Sequence, residues 1–452
     1  MNGEYVSQTY SFKTSASDEF NFLFASDAQI GASYDVSTDA ENWENSLNNA
    51  LAMFPNTTLL IHAGDQVDVP DNEEQYAGYL QPAALSSLAS ATVVGNHDEY
   101  KGNYGEHFNN PNTTTDGEVY GYTYSGCDYW FTYNNTLFLC LNTNDTDNAE
   151  HKEFMEKAIA ANPDVDWKVV VMHHSIYSAA YHSLEEDVIQ RREEFPPIFT
   201  EQDIDVVLMG HDHIYVRTYM MNGSEPDTSN GVESSVMNPT GMLYLTANCA
   251  SGSKYNDLIT SVKYDYAAVK SQERTPAITN VEVTKTMFKI TTYCTDDMSV
   301  LDEFEIKKCS HGALEYLASK DAACTEAGNI ECWYCSDCDT FFSDAGTTVI
   351  TTGMIPATGH TESAPEKDET VPDAAVTKCE TCGELLYVKV EDAYFTRHKV
   401  EDYKGGSEEA WTYPSREGKV FAGWYDDDYG REYYDQLYNG SGGSGCCSQR
   451  YA

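Results

Sequence analysis

Asn96, His97 and Asp98 stand together in Gly95-Asn-His-Asp, at the end of the apolar run Ala91-Thr-Val-Val. An Asn amide oxygen is a hard, neutral donor for a cation, and the His beside it can give or take a proton near neutral pH. Alone, the tetrapeptide reads equally well as a polar turn after a strand. Four further clusters lift it above that. In chain order they are Asp27 in Ser26-Asp-Ala-Gln29, the segment Gly64-Asp65-Gln-Val-Asp68, the pair His173-His174, and Gly210-His211-Asp-His213. Each follows a short apolar run. A two-cation hydrolytic centre needs oxygen and nitrogen donors, with one carboxylate shared by ions roughly 3.5–4 Å apart. Asp27, Asp65, Asn96, His173, His211 and His213 supply such a set. Read as extended backbone, Gly-His-Asp-His would send its two imidazoles toward different cations.

The elements that must hold these clusters follow from the hydrophobic pattern. Residues 20–25, 58–62, 91–95, 167–172 and 206–209 read as buried strands. Thr38 and Glu41 have capping-box spacing, which predicts a helix over 40–54 with Trp43, Leu47, Ala50, Leu51 and Phe54 on its apolar face. Further helices are expected over 76–89 and 149–161. Asn134-Asn135 is a hairpin signal between strands within 129–142, and residues 281–293 and 300–307 read as a closing hairpin. Strands alternating with helices, with polar clusters at the strand C-terminal ends, predict a layered α/β domain whose site lies along one sheet edge.

The chain of 452 residues carries a net charge of −46, spread over its whole length. So acidic a surface argues against nucleic acid or an anionic membrane as partner, and an anionic substrate would need local positive charge such as a bound metal. No run reaches the length of a membrane-spanning helix. Met1-Asn-Gly-Glu-Tyr lacks the basic start and apolar core of a secretory leader.

The five clusters in this order resemble those of the calcineurin-like metallophosphoesterases, in the branch similar to purple acid phosphatases, over about residues 17–308. Val170-Val-Met-His-His-Ser-Ile-Tyr-Ser and Gly210-His-Asp-His-Ile-Tyr-Val-Arg-Thr look like two further motifs of that branch. The resemblance implies a four-layer αββα sandwich and a dinuclear centre of divalent or mixed-valence ions (Fe, Mn or Zn). Asp27 and His213 would hold the first metal, Asp65 would bridge, and Asn96, His173 and His211 would hold the second. His97 would protonate the leaving oxygen or contact phosphate, with Asp98 orienting its ring. The implied reaction is in-line attack on phosphorus by water activated at the metals. His182 falls where plant members place a phosphate-binding His. His107, in Tyr104-Gly-Glu-His, is a second candidate for the mouth of the site, and a loop-packing His is the competing reading. His174 would orient or cover its neighbour. Coloured members carry Gly-Asp-x-x-Tyr, whose phenolate binds ferric iron; here Asp68 stands at that Tyr's place. Asp68 is therefore the expected first-metal ligand, with Gln29 a rival neutral donor, and a colourless enzyme is expected.

Residues 1–16, alternating over 5–14, resemble the last strand of a fibronectin-like β-domain that often precedes this catalytic domain. Of the 13 cysteines, nine lie after residue 308. Cys335, Cys338, Cys379 and Cys382 could make one four-thiolate zinc site, with disulfides as the alternative in an exported protein. Residues 309–384 resemble a Cys-rich module of bacterial surface proteins. Residues 385–436, with Lys419-Val-Phe-Ala-Gly-Trp-Tyr, resemble the internalin-type B-repeat. Residues 437–452 have flexible-tail composition. No internal repeat is evident.

The expectation is thus an extracellular or bacterial surface phosphatase acting on small phosphate monoesters, with cell-surface or glycan contact through its C-terminal modules. A phosphodiesterase or nucleotidase uses the same core. An adhesin with a degenerate hydrolase domain is the reading from another class, and the intact donor set argues against it.

Overall fold

The computed structural model describes residues 11–14, 19–229, 232, 234–345, 348–367, 374–390, 393–396, 421–426 and 447–451. Most of the proposed N-terminal strand, most of the B-repeat-like segment and most of the tail lie outside the described residues. The chain forms two compact units, Met1–Ser310 and His311–Ala452.

In the first unit the strands β1 (Phe20–Ala25), β2 (Leu59–His62) and β3 (Ala89–Thr92) run parallel, because each crossover returns through a helix or loop on one face. β1 also pairs antiparallel with Ala277–Val283, and the sheet continues through Met287–Cys294 and Ser299–Lys307 to Ser235–Met237. A second seven-stranded sheet has the order Ala267–Ser271, β8 (Tyr215–Thr218), Leu243–Thr246, β7 (Val206–Met209), β6 (Trp167–Met172), β5 (Thr136–Leu141) and β4 (Tyr129–Tyr133). Their near-continuous apolar runs are what strands buried on both faces require.

The inner faces of the two sheets share one core. Phe22, Phe24 and Ile61 of the first sheet lie in it with Phe138, Val169, Val171 and Leu208 of the second. Outside the first sheet lies α1 (Val36–Met53), whose Trp43 and Leu47 pack on Leu23 and Leu60. Outside the second lie α4 (Asn148–Ala161) and α5 (Glu186–Glu201), whose Phe154, Phe195 and Phe199 pack on Leu139, Val170 and Val207. The fold is a four-layer αββα sandwich.

Two helix expectations need correction. α1 starts four residues early, because Asp35 rather than Thr38 caps it, accepting from Thr38 N at 3.1 Å. The helix expected over 76–89 is α2 (Glu73–Tyr79), followed by a 3₁₀ turn at Ala83–Ser86. Pro82 cannot donate to a continuing helix. A short α3 (Asn103–His107) follows the Gly95 loop. The Asn134-Asn135 hairpin forms between β4 and β5.

The second unit is built of short antiparallel strands. One sheet has the order Leu314–Leu317, Cys332–Cys335, Thr340–Phe342, Val349–Ile350. Another contains a hairpin of Ala374–Lys378 and Leu385–Val390. No described helix is long and apolar enough to cross a membrane.

Phe138 stacks on Phe131 with ring centroids 4.8 Å apart and meets Phe22 edge-on at 5.5 Å, between the sheets. Phe138→Ala is expected to cost about 3–5 kcal/mol in urea unfolding. A loss below about 1 kcal/mol would place the inter-sheet core elsewhere.

Candidate metal centre

The parallel strands β1, β2, β6 and β7 deliver their following loops to one edge. There Asp27, Asp65, His173 and His213 are buried, with His211 nearly so, and Asn96 is half-buried. The loops turn on left-handed backbone: φ is 52° at Asp27, 53° at Asp65, 73° at His211 and 49° at His213. Gly-His-Asp-His is therefore a turn and not extended, and the turn, not strand alternation, sets the two imidazoles. Such backbone is costly for non-glycine residues and persists only where neighbours hold it. The holding bonds are visible. Asp27 N donates to Gly64 O at 3.1 Å, and His211 N donates to the Asp27 carboxylate at 2.9 and 3.0 Å.

The glycines beside the ligands are required by close approach. A Cβ on Gly95 would lie 2.1 Å from Asp65 Oδ1, and one on Gly210 would lie 1.9 Å from Ser26 Oγ.

The donor atoms converge. His173 Nε2 lies 2.9 Å from Asn96 Oδ1, 3.2 Å from His211 Nδ1 and 3.3 Å from Asp65 Oδ1. His213 Nε2 lies 3.5 Å from Asp27 Oδ1. Donors bound at about 2.0–2.2 Å to one cation sit roughly 3 Å apart, so this spacing suits metal ligation. Two imidazoles also have their tautomers set by backbone carbonyls: His173 Nδ1 donates to Ala63 O at 2.8 Å and His213 Nδ1 to Lys254 O at 3.2 Å. That leaves each Nε2 lone pair for the centre.

Asp98 differs from the sequence expectation. It is fully buried, and its carboxylate accepts from Asp65 N and Gly95 N at 2.8 Å each and from Gln66 N at 3.1 Å. It ties the β2 and β3 exit loops together and has no bond to the His97 ring. His97 finds its partner in Asp68. Its Nδ1 donates to Asp68 O at 2.9 Å and lies 3.4 Å from the Asp68 carboxylate. Asp68 Oδ1 also accepts from Gln29 Nε2 at 3.2 Å, while Gln29 Oε1 is buried without a hydrogen-bond partner. An orphaned buried carbonyl oxygen at the rim of this donor set fits a neutral metal ligand.

His182 lies at the mouth, its ring centroid 4.2 Å from that of His211 and its Nδ1 2.7 Å from Glu185 Oε2. His107 is not brought to the centre. Its Nε2 pairs with Glu73 Oε2 at 3.0 Å and its ring stacks on Tyr76 at 4.4 Å, so it packs the loop against α2. His174 bonds Thr143 Oγ1 at 2.7 Å, with its ring 4.8 Å from His211. Arg217 pairs with Asp302, Nε to Oδ2 at 2.6 Å, away from the donor set.

Sequence reasoning missed the loop after Leu243–Thr246. Cys249 Sγ donates to Asp27 O at 2.9 Å, Ala250 N to Ser26 O at 3.0 Å, and Lys254 supplies the carbonyl that holds His213. The one available signal was Asn248-Cys-Ala-Ser-Gly-Ser-Lys254, a run of small and polar residues directly after a buried strand.

The four cysteines assigned to one zinc site are divided in the structure. Cys335 and Cys338 group with His311, whereas Cys379 and Cys382 group with Cys324 and His360. Each of these Cys-x-x-Cys turns is thus grouped with a His from earlier in the chain, which the sequence reading overlooked.

Residues 20–215 match the calcineurin-like phosphoesterase family. The chain carries a calcineurin-like phosphoesterase domain. Members of that family depend on a dinuclear metal centre. The fold is shared with a purple acid phosphatase from yellow lupin (Lupinus luteus) seeds, at a TM-score of 0.51 and 15% identity, covering 67% of this chain and 55% of the lupin chain. An uncharacterized protein known from two strains of Mycobacterium tuberculosis is 25% identical over 155 residues, or 29% of this chain. The match spans 28% of that relative's length.

The phosphoesterase domain's buried charges make the metal-free chain pH-sensitive. Burial pushes Asp27 up to about 6 and, with the Asp65 charge adding, Asp98 up to about 8. Burial works against a charged His173, but the Asp65 and Asp27 carboxylates outweigh it and push His173 up to about 9. All three bind protons more tightly folded than unfolded, so their contribution falls as pH rises, whereas the buried His62, His174, His211 and His213, held below 6.5 by burial, add stability until pH passes that value. The His173 contribution is fully present below its unfolded value of 6.5 and is lost as pH rises through about 9. Above 6.5 the raised groups act alone, so the Tm of chelator-treated protein, followed by circular dichroism, is expected to fall from about pH 7.5 to about pH 9, and saturating divalent metal to flatten the fall. A Tm that rises over that interval would contradict the arrangement.

Proposed function

We propose that the phosphoesterase domain is a dinuclear-metal phosphomonoesterase. The observation that supports this best is the convergence of Asp27, Asp65, Asn96, His173, His211 and His213 at one sheet edge, with half-exposed His97 at its rim. Asp27, His213 and the Gln29 carbonyl would hold one cation, Asn96, His173 and His211 the other, and Asp65 would serve both. Gln29 is preferred to Asp68 because its oxygen is buried and unpartnered, whereas Asp68 already holds Gln29 and His97. Bound there, the cations would neutralise phosphoryl oxygens and activate water.

The remaining work falls to side chains. With Nδ1 fixed on Asp68 O, His97 keeps Nε2 to hand a proton to the departing ester oxygen. His182, braced by Glu185, is placed to donate to a phosphoryl oxygen. Two imidazole donors beside a dinuclear centre suit the concentrated charge of a monoester dianion.

The test is turnover of p-nitrophenyl phosphate, its bis ester and nucleotides, with and without chelator. Chelator-sensitive hydrolysis that favours the monoester is expected. Preference for the bis ester or for nucleotides would move the reading to a phosphodiesterase or nucleotidase, and no turnover by metal-loaded protein would favour a binding role. His211→Ala is expected to lose one metal and at least about two orders of magnitude in rate. His97→Ala should keep its metals and slow poor leaving groups more than good ones; equal slowing across the series would remove it as the acid. Gln29→Ala should lose first-site metal while Asp68→Asn retains it, and iron-loaded protein should lack a purple band, since no Tyr takes the place of Asp68. The opposite metal contents would return Asp68 to the ligand set.

A further inference from the structure

Among its described residues, the second unit buries few apolar side chains. Its buried hydrophobic residues, among those described, are Cys324, Cys332, Cys335, Phe342 and Cys379. Its strands are short, several of only two residues. Where so few apolar side chains are buried, a covalent or metal staple helps to offset chain entropy.

One place in it is built like a staple. Cys324 Sγ, a His360 ring nitrogen, Cys379 Sγ and Cys382 Sγ all lie within 4.8 Å of one another. Cys324 Sγ is 3.5 Å from Cys379 Sγ, and Cys382 Sγ is 3.5 Å from His360 Nδ1. Tetrahedral zinc, with Zn–S near 2.3 Å and Zn–N near 2.0 Å, spaces its ligands roughly 3.5–3.8 Å apart. A disulfide would need its sulfurs at about 2.05 Å, and Cys324, Cys379 and Cys382 are all free thiols.

The backbone is organised around the same four residues. Cys379 and Cys382 flank a tight turn in which Gly383 N donates to Cys379 O at 2.9 Å, with Gly383 at φ 75°. That left-handed conformation is one that glycine adopts at no steric cost. The Cys324 segment meets the His360 segment through Thr358 N to Ala323 O and Gly359 N to Cys324 O, each at 3.0 Å, and the His360 segment meets the turn through Glu380 N to Thr361 O at 2.8 Å. His360 Nε2 lies 3.5 Å from Glu384 Oε2, so a carboxylate can orient the ring while Nδ1 faces the sulfurs.

We propose that Cys324, His360, Cys379 and Cys382 form a closed, structural Zn²⁺ site that clamps three chain segments of the second unit. Three soft thiolates and one imidazole select zinc over the hard ions suited to the oxygen-rich phosphoesterase centre. Four protein ligands leave no open position, so the site is structural and not catalytic.

The test uses the full chain, purified with its thiols reduced. Cys382 is exposed, so iodoacetamide should label it readily when metal is stripped. With stoichiometric Zn²⁺, labelling of Cys379 and Cys382, read by peptide mass spectrometry, is expected to slow at least about tenfold and to recover with a strong chelator. His360→Ala should carry one zinc atom fewer per chain than the parent and regain rapid labelling in zinc. Equal labelling of the parent with and without zinc would overturn the proposal, whether or not the variant folds. So would a Cys324–Cys379 disulfide found by non-reducing peptide mapping. Neither readout depends on phosphoesterase activity, so failure here is separable from failure of the proposed function.

Discussion

Two carboxylates, Asp27 and Asp65, are buried side by side with His173 between them, and that concentration of charge is the constraint on which the domain's organisation depends. Removing ionised carboxylates from water costs several kcal/mol each unless charge of opposite sign compensates. In the chain alone, His173 supplies part of that compensation by holding a proton well above its ordinary range. The neighbouring imidazoles cannot help, because burial pushes His211 well below 6.5 and His213 down to about 3. A site with this charge and these neutral nitrogen donors is suited to cations. Cations bound there would offset, at the site, the net charge of −46 that the proposed ester substrate would otherwise meet.

The backbone shows what that centre demands of the fold. Parallel strands bring several loops to one edge, but no standard strand end points four donors at one spot. The loops reach it by entering left-handed conformations at Asp27, Asp65, His211 and His213, and glycines at 95 and 210 let the loops close to within a side chain's thickness. Asp98 is the tie that makes this arrangement hold. Its carboxylate gathers amides from the β2 and β3 exits, which would otherwise be unpaired in a buried place. Its loss would act through geometry, by releasing Asp65 and Gly95 together.

Much of this was legible because parallel strands buried on both faces appear in sequence as short apolar runs, and the residue just after each run lands on the shared edge. Asp27, Asp65, Asn96, His173, His211 and His213 could be named together for that reason; the same alternation gave a layered α/β domain, while its four αββα layers were implied by the family resemblance. The partner of His97 was not legible. Asp98 is its chain neighbour, but adjacent side chains diverge at a turn, and the ring is met by Asp68 from the loop after β2. The fate of His107 depends on α2 ending before Pro82, which puts Glu73 and Tyr76 beside it. The cysteines failed for a related reason. Two Cys-x-x-Cys turns invite assignment to one site, but one is grouped with His311 and the other with Cys324 and His360.

The separation of ligand chemistries along the chain has its own logic. The phosphoesterase domain offers oxygen and imidazole donors suited to hard or borderline ions, whereas the second unit gathers thiolates. A free thiol at the dinuclear centre would compete for its metals and oxidise readily. Cys249 is the cysteine closest to that danger, with its sulfur 2.9 Å from the Asp27 carbonyl. It is buried, its S–H donates to that carbonyl, and the sulfur accepts from Gly252 N at 3.1 Å. Both bonding directions of the thiol are thus engaged by backbone behind the ligand, where it supports the Asp27 turn without facing the metals. A cysteine can be kept there because its small apolar volume fills the space behind the turn.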